Sequence, residues 1–264
     1  MRVTVITPCF NAERFIDRCL DSVLSQAGEG VAVESIVMDG GSTDSTVARV
    51  RGRGDAVHTL VSEPDQGPAD AINKGFSLAS GEIIAWLNAD DEYTPGALAR
   101  VVDVMQANPE APFCFGHCPV IDAQGTEIRK GVTRVKRACY PVSSRFTFQC
   151  INYISQPAMF FRKGALDRAG PLRLDLKAAW DYEFLLRLWR QGKGVPVADP
   201  PLARFRWTPD SISGQHFRQQ FDEEFRAAKA DAGTWRLQTL IHFGVKWGII
   251  GMYSLMTRGE GQDA

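Results

Sequence analysis

The sequence has almost no charge imbalance. Thirty Lys and Arg stand against 31 Asp and Glu, a formal net charge of −1, so composition provides no general attraction to nucleic acid. Neither G-x-G-x-x-G nor G-x-x-x-x-G-K-[ST] follows the first predicted strand, which removes the main support for a dinucleotide or P-loop site. The six cysteines, Cys9, Cys19, Cys114, Cys118, Cys139 and Cys150, are scattered. Cys114-Phe-Gly-His-Cys118 resembles half of a metal site, but no second half follows at zinc spacing. Most of the cysteines sit in apolar segments, where free cysteine behaves as a small hydrophobe. A reduced, cytoplasmic protein is expected. Internal repeats and low-complexity segments are also missing, and no signal peptide is expected ahead of the first strand. What is present is a chain of 264 residues, 44% hydrophobic and 23% charged. That is the balance of one large globular domain, or of a domain with an appendage.

The most informative stretch is Ser80 to Tyr93. An apolar run, Ile83 to Leu87, breaks into Asn88, Ala89, Asp90, Asp91 and Glu92. Adjacent carboxylates at a strand end repel and raise each other's pKa. A divalent cation removes that penalty, and magnesium or manganese takes oxygen ligands. The competing reading is that Asp91 or Glu92 merely caps the helix starting near Pro95.

Strands alternate with helices along the chain. Strands are predicted over 2–7, 33–38 and 57–61, and helices over 11–26, with Asn11 as N-cap, and 69–79. The central strand and a helix over 95–107 follow. This order gives an α/β fold with a mostly parallel sheet covered by helices. Beyond it, 113–132 reads as a hairpin turning at Asp122-Ala-Gln-Gly125, while 133–153 gives no clear pattern. A strand near 156–162, a short helix over 163–169, a helix over 180–191 and extended chain over 195–207 come next. Two helices, 215–232 and 234–256, finish the chain.

In such a sheet ligands gather at the carboxyl ends of the strands. Thr7 and Pro8, Asp39, Asp65, and Asp90 with Asp91 all fall there. A nucleotide is held by a carboxylate on the base, another on the ribose and a metal across the diphosphate, roles open to Asp39, Asp90 and Asp91.

These residues carry a resemblance. The sequence is similar to the inverting family 2 glycosyltransferases of GT-A fold, in particular bacterial surface-polysaccharide members. The similar segments are Val5-Ile-Thr-Pro-Cys-Phe-Asn11, Val37-Met-Asp-Gly-Gly-Ser-Thr-Asp-Ser-Thr46, Ser62-Glu-Pro-Asp-Gln-Gly67, Asp70-Ala-Ile-Asn-Lys-Gly75, Gly81 to Asp91, Ser155-Gln-Pro157 and Trp180-Asp-Tyr-Glu-Phe-Leu-Leu-Arg187, in the family's order. The resemblance implies a nucleotide-sugar donor, UDP-type, with Thr7 and Pro8 under the base, Asp39 bonded to it, Asp65 lining the nucleoside pocket and Lys74 near the diphosphate. Asp90 and Asp91 would contact ribose and metal, and Gln156 would lie near donor sugar or acceptor. Two positions depart from the pattern. Asn88 stands where the family's first motif Asp would be, and Thr208 where many relatives have a His; His216 is either a nearby substitute or, the favoured reading, a plain surface His.

Asp181 matches the family's base. A carboxylate near helix N–H groups stays ionised, and direct displacement at the anomeric carbon needs a base on the acceptor hydroxyl. The alternative is that Asp181 only caps its helix. Glu183 is the lesser candidate.

Residues 1–207 are expected to form the transferase domain and 208–264 a helical extension. The stretch 237–256 is apolar but interrupted by His242 and Lys246, with Trp235, Trp247 and Tyr253 within or beside it and Arg236 and Arg258 at its ends. It reads as peripheral membrane contact at the inner face of the cytoplasmic membrane, or as packing on the catalytic domain or on a second subunit. The acceptor implied is a glycan or lipid-linked molecule in cell-surface synthesis. A nucleotidyltransferase making nucleotide sugars and a non-catalytic donor-binding subunit are the competing functions.

Overall fold

The computed structural model describes residues 1–259 except 29, 210, 212, 213 and 215, with side chains as far as residue 251. The first strand, β1 (Arg2–Cys9), is buried along nearly its whole length, because helices cover both of its faces. After α1 (Ile16–Leu24), β2 (Ala32–Asp39) pairs with it in parallel, Val3 opposite Val33 and Cys9 opposite Asp39. The short α2 (Thr46–Arg51) leads to β3 (Thr59–Ser62), and α3 (Pro68–Leu78) to β4 (Ile83–Trp86), which adds in parallel on the other side of β1. Gly75 lets α3 lie close on the sheet, since a Cβ there would fall 2.5 Å from Ile6 Cγ2.

A second, smaller layer of pairing begins with β5 (Glu92–Tyr93). Helix α4 (Ala97–Ala107) then leads to β6 (Phe113–Phe115), followed by the hairpin β7 (Val120–Ile121) and β8 (Glu127–Ile128). Asp122 Oδ1 accepts the N–H groups of Gln124 and Thr126 at 2.9 Å and sets the hairpin turn. The predicted hairpin is thus shorter than 113–132, because 113–115 belongs to the main sheet. The unassigned stretch is helical: α5 (Lys130–Ala138) and α6 (Arg145–Cys150), the latter capped by Ser144 accepting from Thr147 N–H. Strand β9 (Met159–Arg162) runs antiparallel between β4 and β6. Then come α7 (Lys163–Ala169), α8 (Trp180–Trp189), β10 (Val195–Pro196), β11 (Ala203–Arg206), α9 (Phe217–Ala232) and α10 (Leu237–Gly259). The main sheet has the order β10-β6-β9-β4-β1-β2-β3, and β5-β11-β7-β8 form the smaller one.

Alternation along β1 and β4 divides the core between two faces. Val3, Val5, Ile83 and Ala85 pack with α4, while Ile6, Ile84 and Trp86 pack with α3 and α8. On the latter face Phe76, Trp86, Phe161 and Phe184 sit with ring centroids 5.1–6.1 Å apart, each such pair contributing about 0.5–1.5 kcal/mol beyond its area.

Asn11 does not cap α1. It has φ of 48°, its Oδ1 accepts from Thr43 N–H at 2.9 Å, and the helix starts five residues later. At the other end, α10 packs on the rest of the chain: His242 Nδ1 lies 2.9 Å from the Gln149 carbonyl and Lys246 pairs with Asp222 at 2.5 Å. Its other face leaves Leu237, Leu240, Ile241 and Trp247 exposed. The side chains of Tyr253, Leu255, Met256 and Arg258 lie outside the described residues. Among the described residues no helix is long and apolar enough to cross a membrane.

Candidate functional site

The segments after β1, β3 and β4 open onto one cleft of about 630 Å³, a size suited to a small ligand. Pro8 to Ala12, Asp65, Asn88 to Asp90, Ser155 to Pro157 and Trp180 with Asp181 all line it. The cleft therefore gathers Pro8, Asp65, Asn88, Asp90, Gln156 and Asp181 from the residues singled out in the sequence.

Four others are placed elsewhere. Thr7 is fully buried on β1, outside the cleft lining. Lys74 faces outward, with Nζ 2.8 Å from Glu63 and 3.5 Å from Asp70, and its place at a diphosphate has no geometric support. Asp39 is 3% exposed and its carboxylate is taken up by its own loop and by Ser62 of β3. It accepts from Gly41 N–H (3.2 Å), Ser42 N–H (3.1 Å), the Ser42 hydroxyl and Ser62 Oγ (2.6 Å). Burial alone would raise its pKa, but the Ser42 and Ser62 bonds outweigh it and hold the carboxyl below its usual range. Beside it, a Cβ on Gly40 would lie 2.6 Å from Asp65 Oδ2, so glycine there admits the Asp65 carboxylate, which accepts from Gly67 N–H at 2.8 Å.

The fourth is Asp91, and the metal assignment changes with it. Asp91 is fully buried and turned away from the cleft, its Oδ1 accepting from Arg206 N–H at 2.8 Å. Burial and the neighbouring Asp90 push its carboxyl well up, against the pull of the Arg206 N–H and charge. Arg206, also fully buried, ties the acidic turn together: Nε donates to the Asp90 carbonyl (2.9 Å), one terminal nitrogen to the Asp122 carbonyl (2.7 Å) and the other to Glu92. Of the adjacent aspartates only Asp90 faces the cleft, and burial raises its pKa, which Arg206 opposes. Asn88 Nδ2 lies 3.4 Å from both Asp91 Oδ2 and Gln156 Oε1, and Gln156 is held by the Trp86 carbonyl at 2.7 Å.

Asp90 and Asn88 offer the oxygen donors that hard cations take. No group of three or more His, Cys, Asp or Glu able to hold a metal occurs among the described residues. These two residues fit a cation bound largely by a ligand's own oxygens, as magnesium is with substrate phosphates. Thr208 lines the cleft, whereas His216 is exposed at the start of α9 and does not.

Asp181 sits in the first turn of α8, where its Oδ1 accepts from Tyr182 N–H at 2.8 Å. Burial raises its pKa, offset by that N–H and by Lys136. Glu183 instead pairs with Arg187 at 2.8 Å and is no part of the cleft. Lys136 of α5 lines the cleft, with Nζ 3.1 Å from Ser155 Oγ. Burial lowers its pKa, against Glu224, Cys118 and Asp181. Lys136, Asn152, Gln220, Arg206 and the exposed Phe10 are site residues that sequence reasoning passed over. The basic run Arg134-Val-Lys-Arg137 gave no sign of which cation turns inward.

A mostly parallel sheet with an antiparallel strand β9, and a cleft at its carboxyl edge bearing Asp90 and Asp181, define a GT-A glycosyltransferase fold. The Glycosyl transferase family 2 profile matches residues 4–170, and the chain belongs to that family. It is 33% identical over 186 residues to an uncharacterised glycosyltransferase of Mycobacterium tuberculosis, covering 70% of this chain and 68% of the relative. It is 29% identical over 189 residues to a PGL/p-HBAD biosynthesis glycosyltransferase of Mycobacterium bovis, with the same coverages. Among solved structures, S. aureus TarS 1–349 in complex with UDP-GlcNAc superposes with a TM-score of 0.67 at 17% identity, over 88% of this chain and 66% of that one. The chain spans 40% of the longer TarS chain. The mannosyltransferase PcManGT of Pyrobaculum calidifontis, in complex with GDP-Man and Mn2+, gives a TM-score of 0.63 at 20% identity over 98% of this chain and 79% of that one.

Proposed function

We propose that this glycosyltransferase moves a sugar from a nucleotide-diphosphate sugar to a hydroxyl acceptor with inversion, assisted by a divalent cation, manganese or magnesium. The observation that carries the reading is the meeting of Asp90, from the end of β4, and Asp181, from the start of α8, on one cleft. Support for the donor class comes from the complexes of TarS with UDP-GlcNAc and of PcManGT with GDP-Man and Mn2+; a UDP-sugar is the donor proposed. The nucleoside lies along Pro8 and Asp65, and the exposed Phe10 ring offers it a stacking face. Asp90 with Asn88 would hold the cation, which when bound would supply charge stabilisation to the departing diphosphate. Asp181 accepts the proton of the acceptor hydroxyl while that oxygen bonds the anomeric carbon. The carbon–oxygen bond to the diphosphate breaks, and its electron pair leaves with the nucleoside diphosphate. A base with a raised pKa suits this task, because it holds the proton it takes more strongly.

The acceptor proposed is a glycan or lipid-linked molecule of cell-surface synthesis, with residues 1–207 as the transferase domain and 208–264 as its helical extension. Support for contact with the inner face of the cytoplasmic membrane is the exposed apolar face of α10; the same face would serve a homo-oligomer.

A thermal-shift screen of nucleotide sugars with manganese, repeated with EDTA, tests the donor and cation together. A ligand that binds only the native state raises its apparent stability, by about 2.7 kcal/mol at a hundred times Kd. UDP-sugars are expected to raise Tm more with manganese than with EDTA. A flat response to every nucleotide sugar would remove the donor assignment.

A further inference from the structure

Two consecutive glutamates of α9 are buried, Glu223 at 6% and Glu224 at 3% exposure. Buried carboxylates are costly unless hydrogen-bonded, and each has its own set of donors. Glu223 Oε2 accepts the N–H groups of Lys177 (3.0 Å), Ala178 (2.9 Å) and Ala179 (3.1 Å), the residues leading into α8 and Asp181. Glu224 Oε1 accepts from Asn152 Nδ2 and Gln220 Nε2, both at 3.1 Å. Asn152 and Gln220 line the cleft together with Lys136 and Asp181. A stretch of chain beyond the last strand thus supplies part of the cleft's polar wall and the carboxylate that holds it.

We propose that Glu224 is a positioning residue for the transfer reaction: it fixes Asn152 and Gln220 in the cleft wall they share with Asp181 and places a charge close to Lys136 and Asp181. This rests on the reading of Asp181 as the base. Lys136 of α5 and Asp181 and Tyr182 of α8 face Glu224 electrostatically. Three further charged or titratable side chains on the packed helices are held by partners of their own. Arg145 of α6 is on Asp231, Lys246 of α10 on Asp222, and His242 on the Gln149 carbonyl.

Burial raises the Glu224 carboxyl, the Asn152 and Gln220 bonds draw it down, Asp181 pushes it up and Lys136 opposes that, leaving it at about 7. Ionised Glu224 keeps Asp181 more basic than it would otherwise be, since like charges raise each other's pKa. Glu224→Gln retains the acceptor oxygen for Asn152 and Gln220 and removes only the charge. Glu224→Ala removes both.

The test uses the full chain with carbonyl-13C-labelled Asp and Glu, titrated by NMR, in the parent and in Glu224→Gln and Asp181→Asn. The Glu224 carboxyl signal, identified by its loss in Glu224→Gln, is expected to titrate near 7 in the parent and lower by about 0.5 pH or more in Asp181→Asn. A midpoint unmoved by Asp181→Asn overturns the proposal. Rates are then read as nucleoside diphosphate release from UDP-N-acetylglucosamine or GDP-mannose with manganese, using p-nitrophenyl glycosides or water as acceptor. Glu224→Gln should move the acid limb of the pH profile downward and lower kcat about three- to tenfold, with KM for the glycoside little changed. Glu224→Ala should raise that KM as well. A Glu224→Gln profile that superposes on the parent's also overturns the proposal. Parental turnover in Asp181→Asn instead removes the base assignment, and the carboxyl titrations then report the Glu224–Asp181 coupling separately.

Discussion

Asp181 has two open roles, base and helix cap, and one substitution separates them. Asn caps a helix nearly as well as Asp, whereas loss of a general base costs about 10²–10⁴-fold in rate. Asp181→Asn is expected to lower transfer at least about a hundredfold with donor affinity and Tm little changed, measured as initial rate at saturating substrates beside a binding isotherm. Turnover within a few-fold of the parent would return Asp181 to capping; Glu183 is no replacement, being held by Arg187. Arg206 makes a different demand. It is fully buried and joins Asp90, Asp91, Glu92 and Asp122. Removing one partner of a buried charged set costs about 3–5 kcal/mol, so Arg206→Met should lower unfolding stability by that order in a urea titration and weaken cation-dependent donor binding with it. A loss under about 1 kcal/mol would show that the acidic turn holds without it.

At the scale of elements, the start of α8 is fixed from outside by α9. Glu223 takes three N–H groups that no residue of α8 pairs, and its side chain also receives Gln219 Nε2 at 2.8 Å. Burial on its own would raise the Glu223 pKa, but these hydrogen bonds win and lower it below the usual 4.5. The sign follows: a carboxyl depressed in the folded state contributes stability above its unfolded pKa, and that contribution is lost as pH falls through the folded value. Glu223→Ala should therefore lower Tm at pH 7, with parent and variant converging in acid below about pH 4. A Tm difference unchanged down to pH 3 would show that packing, not the carboxylate, carries the effect. The helices α5 and α6, in a stretch whose sequence carries no clear pattern, belong to this same scale. In α5 only Thr133 is buried and Val135 is exposed, so its apolar residues form no core-facing stripe, and in sequence Lys136 looks like its neighbouring cations.

Across the whole molecule, the cleft and the apolar outer face of α10 are distinct surfaces. The helix buries Thr239, His242 and Lys246 against α9 and α6 and leaves Leu237, Leu240, Ile241 and Trp247 outward. Amphipathic helices of this kind bind at the lipid interface in proportion to buried apolar area and to attraction for anionic lipid. The protein is expected to co-sediment with vesicles of phosphatidylglycerol and phosphatidylcholine, and a Leu240→Glu/Trp247→Glu double variant to remain in the supernatant with its Tm unchanged. Equal sedimentation of the two, or a dimer in light scattering that the variant converts to monomer, would move the face to another role.

The sequence by itself determined the alternation of apolar strands and helices, and therefore an α/β fold with polar strand ends on one edge. Its ordered motifs also named Asp65, Asp90, Gln156 and Asp181, all of which line one cleft. A parallel sheet brings the strand ends that carry Asp65 and Asp90 together, whereas Gln156 and Asp181 reach it from just ahead of an antiparallel strand and from a helix. Side-chain direction was decided by tertiary structure. Asp90 and Asp91 are equivalent on paper, yet only the contact with Arg206, 115 residues away, turns Asp91 into the core. Asp39 reads as a ligand group until its donors are seen to come from its own loop and from Ser62. Lys74 reads as a phosphate contact until Glu63 and Asp70 are found on it. The part played by α9 was equally out of reach, since Glu223 and Glu224 look like any solvated acidic pair on a polar helix. Periodicity reports which face of an element is apolar. Only long-range packing decides which polar group on the other face is buried and what it holds.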